Sequence, residues 1–163
     1  MFKKIIIILI LLFLNQKDSL SRENITRAGI AFGGTALVSV MVEHQIQDEA
    51  IRLNIGFFEF EEICISTSAV HYMGNGQIRP YIGAGIANVI IFPEKKLGTL
   101  HFLNIPAGLN WTPGNDAFRL GAEADFNRFL TGRNPGGGKV SFDKDERWLN
   151  VPGVYCLWPA EKN

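Results

Sequence analysis

The fold is decided by residues 117–131, which read AFRLGAEADFNRFLT. Apolar residues alternate there with charged, amide or glycine residues. One face carries Phe118, Leu120, Ala122, Ala124 and Phe126, and the other carries Arg119, Gly121, Glu123, Asp125 and Asn127. A repeat of two residues is typical of a β-strand, because successive side chains point to opposite faces. The segment therefore predicts a long strand with one apolar and one polar face.

The same alternation recurs along the chain, for example from Leu100 to Trp111 and from Ile51 to Phe57. No stretch after residue 22 keeps the 3.6-residue period of an amphipathic helix. The chain after that residue is therefore predicted to be all-β. We expect eight strands, near residues 26–33, 36–46, 50–60, 63–73, 78–91, 99–111, 117–131 and 147–158.

The connections between these strands alternate in length. Residues 47–49, 74–77 and 112–116 are rich in Gly, Asn, Asp and Pro and predict tight turns, whereas 92–98 and 132–147 are longer. Short periplasmic turns and longer outer loops produce such an asymmetry in outer-membrane barrels. The predicted fold is a closed antiparallel up-and-down β-barrel.

The N-terminus has the pattern of a secretory signal. Lys3 and Lys4 precede an apolar run from Ile5 to Leu14, which is shorter than the roughly 20 residues of a membrane-spanning helix. Small residues at Ser19 and Ser21 fit a cleavage site. We therefore expect a signal peptide at residues 1–21 and an exported barrel domain at 22–163.

Charge and cysteine content limit the function. The 16 Lys and Arg residues balance 16 Asp and Glu residues, so the chain lacks the net positive charge that favours nucleic-acid binding. The two cysteines are too few for a dense disulfide scaffold. In the expected strand order Cys64 and Cys156 lie at opposite ends of the barrel, beyond the reach of a disulfide.

Alternation does not tell which face points outward. A membrane barrel with a polar interior and a soluble barrel with an apolar interior give the same period of two. Aromatic residues expected near the periplasmic strand ends favour the membrane interpretation, because aromatic side chains collect at membrane interfaces. The predicted aromatic belt consists of Tyr81, Trp111, Phe118 and Tyr155.

Two segments carry a family resemblance. Residues 79–85 read RPYIGAG, and residues 103–109 read LNIPAGL. They resemble the outer-membrane β-barrel domains of the OmpA type, small eight-stranded barrels in which an Arg-Pro-Tyr-apolar-Gly strand leads to an Ile-Pro-x-Gly strand. The resemblance implies a fold and a bacterial outer-membrane location, and it implies no activity.

An eight-stranded barrel has an interior that is just filled by side chains. On the membrane interpretation the charged strand residues point into that interior, where charges must be paired to offset their desolvation. We therefore hypothesise a lumenal ion-pair network around Arg52 and Arg119. Its members are Glu43, Arg52, Arg119, Glu123 and Asp125.

The sequence offers no convincing catalytic or metal site. His44, His71 and His101 lack the spacing of metal ligands, so neither a catalytic residue nor a cofactor is predicted. We expect a non-enzymatic, monomeric outer-membrane barrel in contact with outer-membrane lipid. Its role would be structural or adhesive, with ligand binding at the 132–147 loop. The alternative is a soluble exported lipocalin-like barrel that binds a small apolar ligand.

Overall fold

The computed structural model describes residues 24–59, 61–93, 97–114, 118–142 and 148–160, so the predicted signal peptide lies outside the described residues. All eight predicted strands are present. No helix in the described ranges is long and apolar enough to cross a membrane. The strands are β1 (Ile25–Gly33), β2 (Ala36–Ile46), β3 (Glu49–Phe57), β4 (Glu62–Tyr72), β5 (Ile78–Ile91), β6 (Gly98–Trp111), β7 (Arg119–Arg133) and β8 (Trp148–Pro159).

The strands close into one barrel. Each strand pairs antiparallel with the next along the chain, and β8 returns to pair with β1. The register shifts once between β1 and β2 and once between β6 and β7, where Leu37 and Leu130 are the extra residues. The predicted closed up-and-down barrel is confirmed.

The two ends of the barrel differ. We call the end with residues 24 and 160 and the connections 47–48, 73–77 and 112–118 the terminal end. The opposite, loop end has the connections 34–35, 58–61, 92–97 and 134–147. The 34–35 connection is as short as 47–48, so the expected length asymmetry holds for only part of the loop end. Gly34 has a φ of 74°, a conformation that tight hairpin turns require and glycine adopts without strain.

The orientation of the strand faces resolves the ambiguity left by the sequence. On β7, Arg119, Asp125 and Asn127 are buried in the lumen, while Leu120 and Phe126 are exposed on the outer wall. The other strands follow the same rule. The outward apolar side chains form a continuous apolar belt, which includes Ile30, Val40, Val42, Ile51, Leu53, Ile55, Ile82, Ile86, Leu109, Leu120, Phe126 and Val154.

The predicted aromatic belt is wrong for two of its members. Tyr81 and Tyr155 are 2% and 3% exposed and belong to the buried core of the lumen. They lie on the inward faces of β5 and β8, and each ring lies against a glycine of a neighbouring strand, Gly108 for Tyr81 and Gly121 for Tyr155. Trp111 is exposed and packs edge to face on Phe118, with 5.8 Å between ring centroids. The exposed tryptophans lie near both ends, Trp111 and Trp158 at the terminal end and Trp148 at the loop end.

Candidate functional site

In the terminal half of the lumen a group of polar side chains, which we call the charged cluster, packs with buried apolar residues such as Met41, Val70 and Leu157. Its members come from six of the eight strands and point toward the barrel axis. They are Glu43 on β2, Arg52 on β3, Tyr72 on β4, Tyr81 on β5, Arg119 and Glu123 on β7, and Tyr155 on β8.

Arg52 is the centre of the charged cluster and is 1% exposed. Its Nε donates to Glu43 Oε2 at 2.7 Å and its Nη1 donates to Glu123 Oε2 at 3.1 Å. Its Nη2 donates to the hydroxyls of Tyr72 at 2.7 Å and Tyr155 at 2.8 Å. Every nitrogen of the guanidinium therefore has a partner, which is what a buried charge needs to offset its desolvation.

Glu43 joins the two arginines. Its Oε1 accepts a hydrogen bond from Arg119 Nη1, while its Oε2 accepts from Arg52 and from the Tyr72 hydroxyl at 2.5 Å. Arg119 also donates to Tyr72 at 3.0 Å and to Gln45 at 2.7 Å. One carboxylate thus ion-pairs with two guanidinium groups, and a second carboxylate, Glu123, contacts Arg52 from the other side.

The tyrosines of the cluster were missed by sequence reasoning. The guanidinium carbon of Arg52 lies 4.4 Å from the ring centroid of Tyr81 and 4.8 Å from that of Tyr155, which are cation–π distances. Both rings face a glycine on the neighbouring strand, because Tyr81 pairs with Gly108 and Tyr155 with Gly121. A cross-strand Gly–Tyr pair on a polar face is the sequence signal that could have identified them.

Asp125 lies in a different part of the lumen. Its Oδ1 accepts a hydrogen bond from Asn104 Nδ2 at 2.9 Å, and the same amide contacts Asn127 Oδ1 at 3.0 Å. Within the described ranges Asp125 forms no ion pair. Of the five residues hypothesised to form a network, the structure brings Glu43, Arg52, Arg119 and Glu123 together and places Asp125 with the amides.

In the loop-end half of the lumen, polar residues such as Thr35 and Asn127 lie beside apolar ones, and this half is incompletely filled. A cavity of about 40 Å³ lies there, and we call it the loop-end cavity. Leu149 points into the barrel at this level and is still 52% exposed, so the cavity opens toward the loop end. Its lining is Gly34, Thr35, Phe58, Cys64, Ala87, Val89, Phe102, Asn127 and Leu149.

Aromatic rings cover one side of this half. Phe129 packs on Phe102, with 5.7 Å between centroids, and on Phe142 of the 134–147 connection, with 4.6 Å between centroids. Cys64 is a free thiol that donates to the carbonyl oxygen of Thr35 at 2.7 Å. Cys156, on β8, is also free.

The three histidines are spread over the barrel and bind neighbouring strands. His44 hydrogen-bonds to Thr26 at 2.8 Å, and His71 bonds to Glu49 at 2.6 Å. His101 bonds to Asn88 at 2.7 Å. In the part of the chain that the structure describes, no three His, Cys, Asp or Glu side chains are grouped so as to hold a metal ion.

Comparison with known proteins finds likeness in structure. No protein-family model and no curated protein matches the sequence. The N-terminal β-barrel domain of OprF from Pseudomonas aeruginosa is 19% identical and superimposes with a TM-score of 0.59 over 82% of this chain and 94% of that domain. CarO from Acinetobacter baumannii is 11% identical, with a TM-score of 0.41 over 88% of this chain and 100% of that protein. The likeness to the OprF domain confirms the small eight-stranded β-barrel fold that the sequence resemblance implied.

Proposed function

We propose that the chain is a non-enzymatic, monomeric β-barrel protein of a bacterial outer membrane, with a structural or adhesive role and with ligand binding at its loop end. The observation that carries the proposal is the apolar belt. On β3 the outward residues Ile51, Leu53, Ile55 and Phe57 are all exposed large apolar side chains. A soluble monomer rarely exposes contiguous apolar patches of more than a few hundred Å², whereas lipid would bury such a belt.

Strand length and tryptophan position support a membrane location. The strands are 9 to 15 residues long, and tilted strands of about 9–11 residues cross the hydrocarbon layer. Tryptophan side chains collect at the two membrane–water interfaces. Trp111 and Trp158 at one end and Trp148 at the other occupy the positions of two such interfaces.

A structural role is supported by the charged cluster. It crosses the terminal half of the lumen, and its ion pairs join β2, β3 and β7. An eight-stranded barrel filled in this way is a solid plug rather than a wide pore. Its acids and bases are also engaged with one another, which is an arrangement suited to stability and not to chemistry on a substrate.

Binding at the loop end is supported by the 134–147 connection, the longest connection at that end. Exposed loops on a rigid scaffold commonly carry recognition. Phe142 packs on Phe129 and so fixes part of this segment to the barrel. The loop-end cavity, with the exposed Leu149 in its lining, opens on the same side.

The soluble lipocalin-like alternative requires the opposite distribution of polarity. A barrel of that kind has an apolar ligand cavity inside and a polar wall outside. Here Arg52 and Glu43 fill the interior, and isoleucine, leucine and valine cover the wall. The loop-end cavity of about 40 Å³ is apolar, as the ligand cavity of a lipocalin-like barrel would be. The tests below therefore include the soluble barrel as a possible result.

The membrane location is tested by two lysine variants on the outward face of β2. Val42 lies near the middle of the strand and Ile46 at its terminal end, and both are exposed. In a bilayer, lysine costs about 2–4 kcal/mol at the midplane and about 0–1 kcal/mol near an interface. We expect Val42→Lys to lower the free energy of unfolding from phospholipid vesicles by the larger amount and Ile46→Lys by the smaller one.

Fractionation of cells that express the full chain gives the complementary test. We expect the native protein to stay with the membranes through salt and carbonate washes and to be released by detergent. Release by carbonate without detergent, together with equal effects of Val42→Lys and Ile46→Lys, would overturn the membrane location and support the soluble barrel.

A further inference from the structure

Basic residues gather on one side of the outer wall, close to the loop end. We call Arg128, Arg133 and Lys139 the basic patch, and all three are exposed. Arg128 and Arg133 belong to β7, and Lys139 lies in the connection that follows it. The chain as a whole has a net charge of zero, so this is a local concentration of positive charge rather than a property of the whole surface.

The strand pairing places Arg133 and Lys139 side by side, and Arg128 lies five residues earlier on the same strand, about 16 Å away along it. Lys139 forms an isolated antiparallel bridge with Arg133, which brings the two residues next to each other. The β7–β8 ladder ends at Arg128, which pairs with Trp148. On the other side of β7, Thr131 pairs with His101, whose ring bonds to Asn88 of β5 on the same outer wall.

The patch lies at the edge of the apolar belt. Phe126 and Leu130 are exposed on the same strand, on either side of Arg128. The guanidinium carbon of Arg128 is 5.7 Å from the ring centroid of Trp148, the tryptophan at the loop end. Within the described ranges neither arginine of the patch nor Lys139 forms an ion pair with a carboxylate.

We propose that the basic patch binds the phosphate of a phosphorylated lipid head group in the membrane leaflet at the loop end. The inference rests on the proposed membrane location. Arginine presents a planar fork that matches a phosphate, and its charge-assisted hydrogen bonds are strong. A lipid is favoured over a protein partner, because acyl chains that extend from the bound phosphate toward the middle of the wall would lie on the exposed Phe126, and those from a phosphate at Arg133 would also pass Leu130.

The expected strength follows from charge. Each Lys or Arg near an anionic membrane surface strengthens binding roughly fivefold. Removal of both arginines should therefore weaken binding of the phosphorylated lipid roughly 25-fold. The effect should decrease with added salt, because exposed charges are screened.

The test measures lipid retention by native mass spectrometry on the full chain in detergent. The probes are lipid A with its phosphates, the same lipid A after removal of its phosphates, and inorganic phosphate. We compare the wild-type chain with the double variant Arg128→Ala/Arg133→Ala. The matched control is His44→Ala, a polar position on the outer wall at the terminal end.

We expect the wild type and His44→Ala to retain phosphorylated lipid A better than the dephosphorylated form, and the double variant to lose that preference. Equal retention of the two lipids by the wild type, or an unchanged preference in the double variant, would overturn the inference. Displacement of lipid A by inorganic phosphate at a similar concentration would also overturn it, since the site would then be one for a free anion.

The carbonate wash separates this result from the proposed function. If the wild type resists carbonate and shows no preference for the phosphorylated lipid, the basic patch is not a lipid site and the membrane location stands. If carbonate releases the wild type, both proposals fail. The double variant must also resist carbonate, which shows that its loss of lipid comes from the patch and not from misfolding.

Discussion

In the terminal half of the lumen every guanidinium nitrogen of Arg52 has a partner, whereas in the loop-end half the apolar residues Val89 and Phe102 border an incompletely filled cavity. The two halves share the same strands and the same alternation. They differ in what the side chains require of one another. Buried charges need particular partners at particular distances, and apolar groups need contact with neighbours of suitable size. The terminal half should therefore tolerate substitution poorly and the loop-end half well.

The largest effect is expected at Glu43. The substitution Glu43→Ala leaves Arg52 and Arg119 buried and without their shared carboxylate. Removal of one partner of a buried ion pair costs about 3–5 kcal/mol, because the remaining charge is uncompensated. We expect a loss of that size in the free energy of unfolding, measured by urea denaturation in phospholipid vesicles.

The variant Glu43→Gln is the matched control for size. Its amide oxygen can still accept from Arg52 and Tyr72 while its NH2 faces the Arg119 donor, so the remaining loss reports the missing charge together with one missing acceptor. A cost below about 1 kcal/mol for Glu43→Ala would be that of an exposed pair, and it would contradict a buried cluster in the terminal half.

The strands, and which residues share a strand face, could be predicted from the sequence because both follow from a period of two, whereas alternation alone did not tell which face points into the lumen. Arg119 and Glu123 share a face of β7 by alternation, and the structure places both in the lumen. Tyr81 and Tyr155 share the inward faces by the same rule, and the interfacial belt predicted for them is wrong. A position near a strand end is compatible with an interface, but the glycine opposite each ring leaves space inside the barrel that the ring fills.

The position of Asp125 shows what alternation leaves out. It faces the lumen like Glu123 but contacts Asn104 rather than an arginine. Which inward side chains meet across a barrel depends on the stagger of the strands around it. That stagger is fixed by the pairing of β8 with β1 and by the shifts near Leu37 and Leu130. No local pattern of hydrophobicity carries this information.

A smaller effect is expected from overpacking the terminal half. A Cβ atom on Gly121 would overlap the ring of Tyr155, which lies against it inside the barrel. Additional atoms in a packed interior cost typically about 1–3 kcal/mol. We expect Gly121→Ala to lower the free energy of unfolding by that amount. The double variant Gly121→Ala/Tyr155→Leu should show coupling between the two sites, and strictly additive effects would mean that the ring does not occupy the space beside Gly121.

The smallest effect is expected from the corresponding change in the loop-end half. Ala87 is 2% exposed and lines the loop-end cavity. Valine there adds two methyl groups to a cavity of about 40 Å³, so the added volume meets space rather than a ring. Filling a cavity recovers contacts that its lining lacks, and this gain opposes the cost of adjusting Val89 and Phe102. We expect Ala87→Val to change the free energy of unfolding by less than about 1 kcal/mol in either direction. Both variants are to be measured in the same vesicles. If Ala87→Val lowers the free energy of unfolding as much as Gly121→Ala or more, the two halves are equally well packed and the contrast between them is wrong.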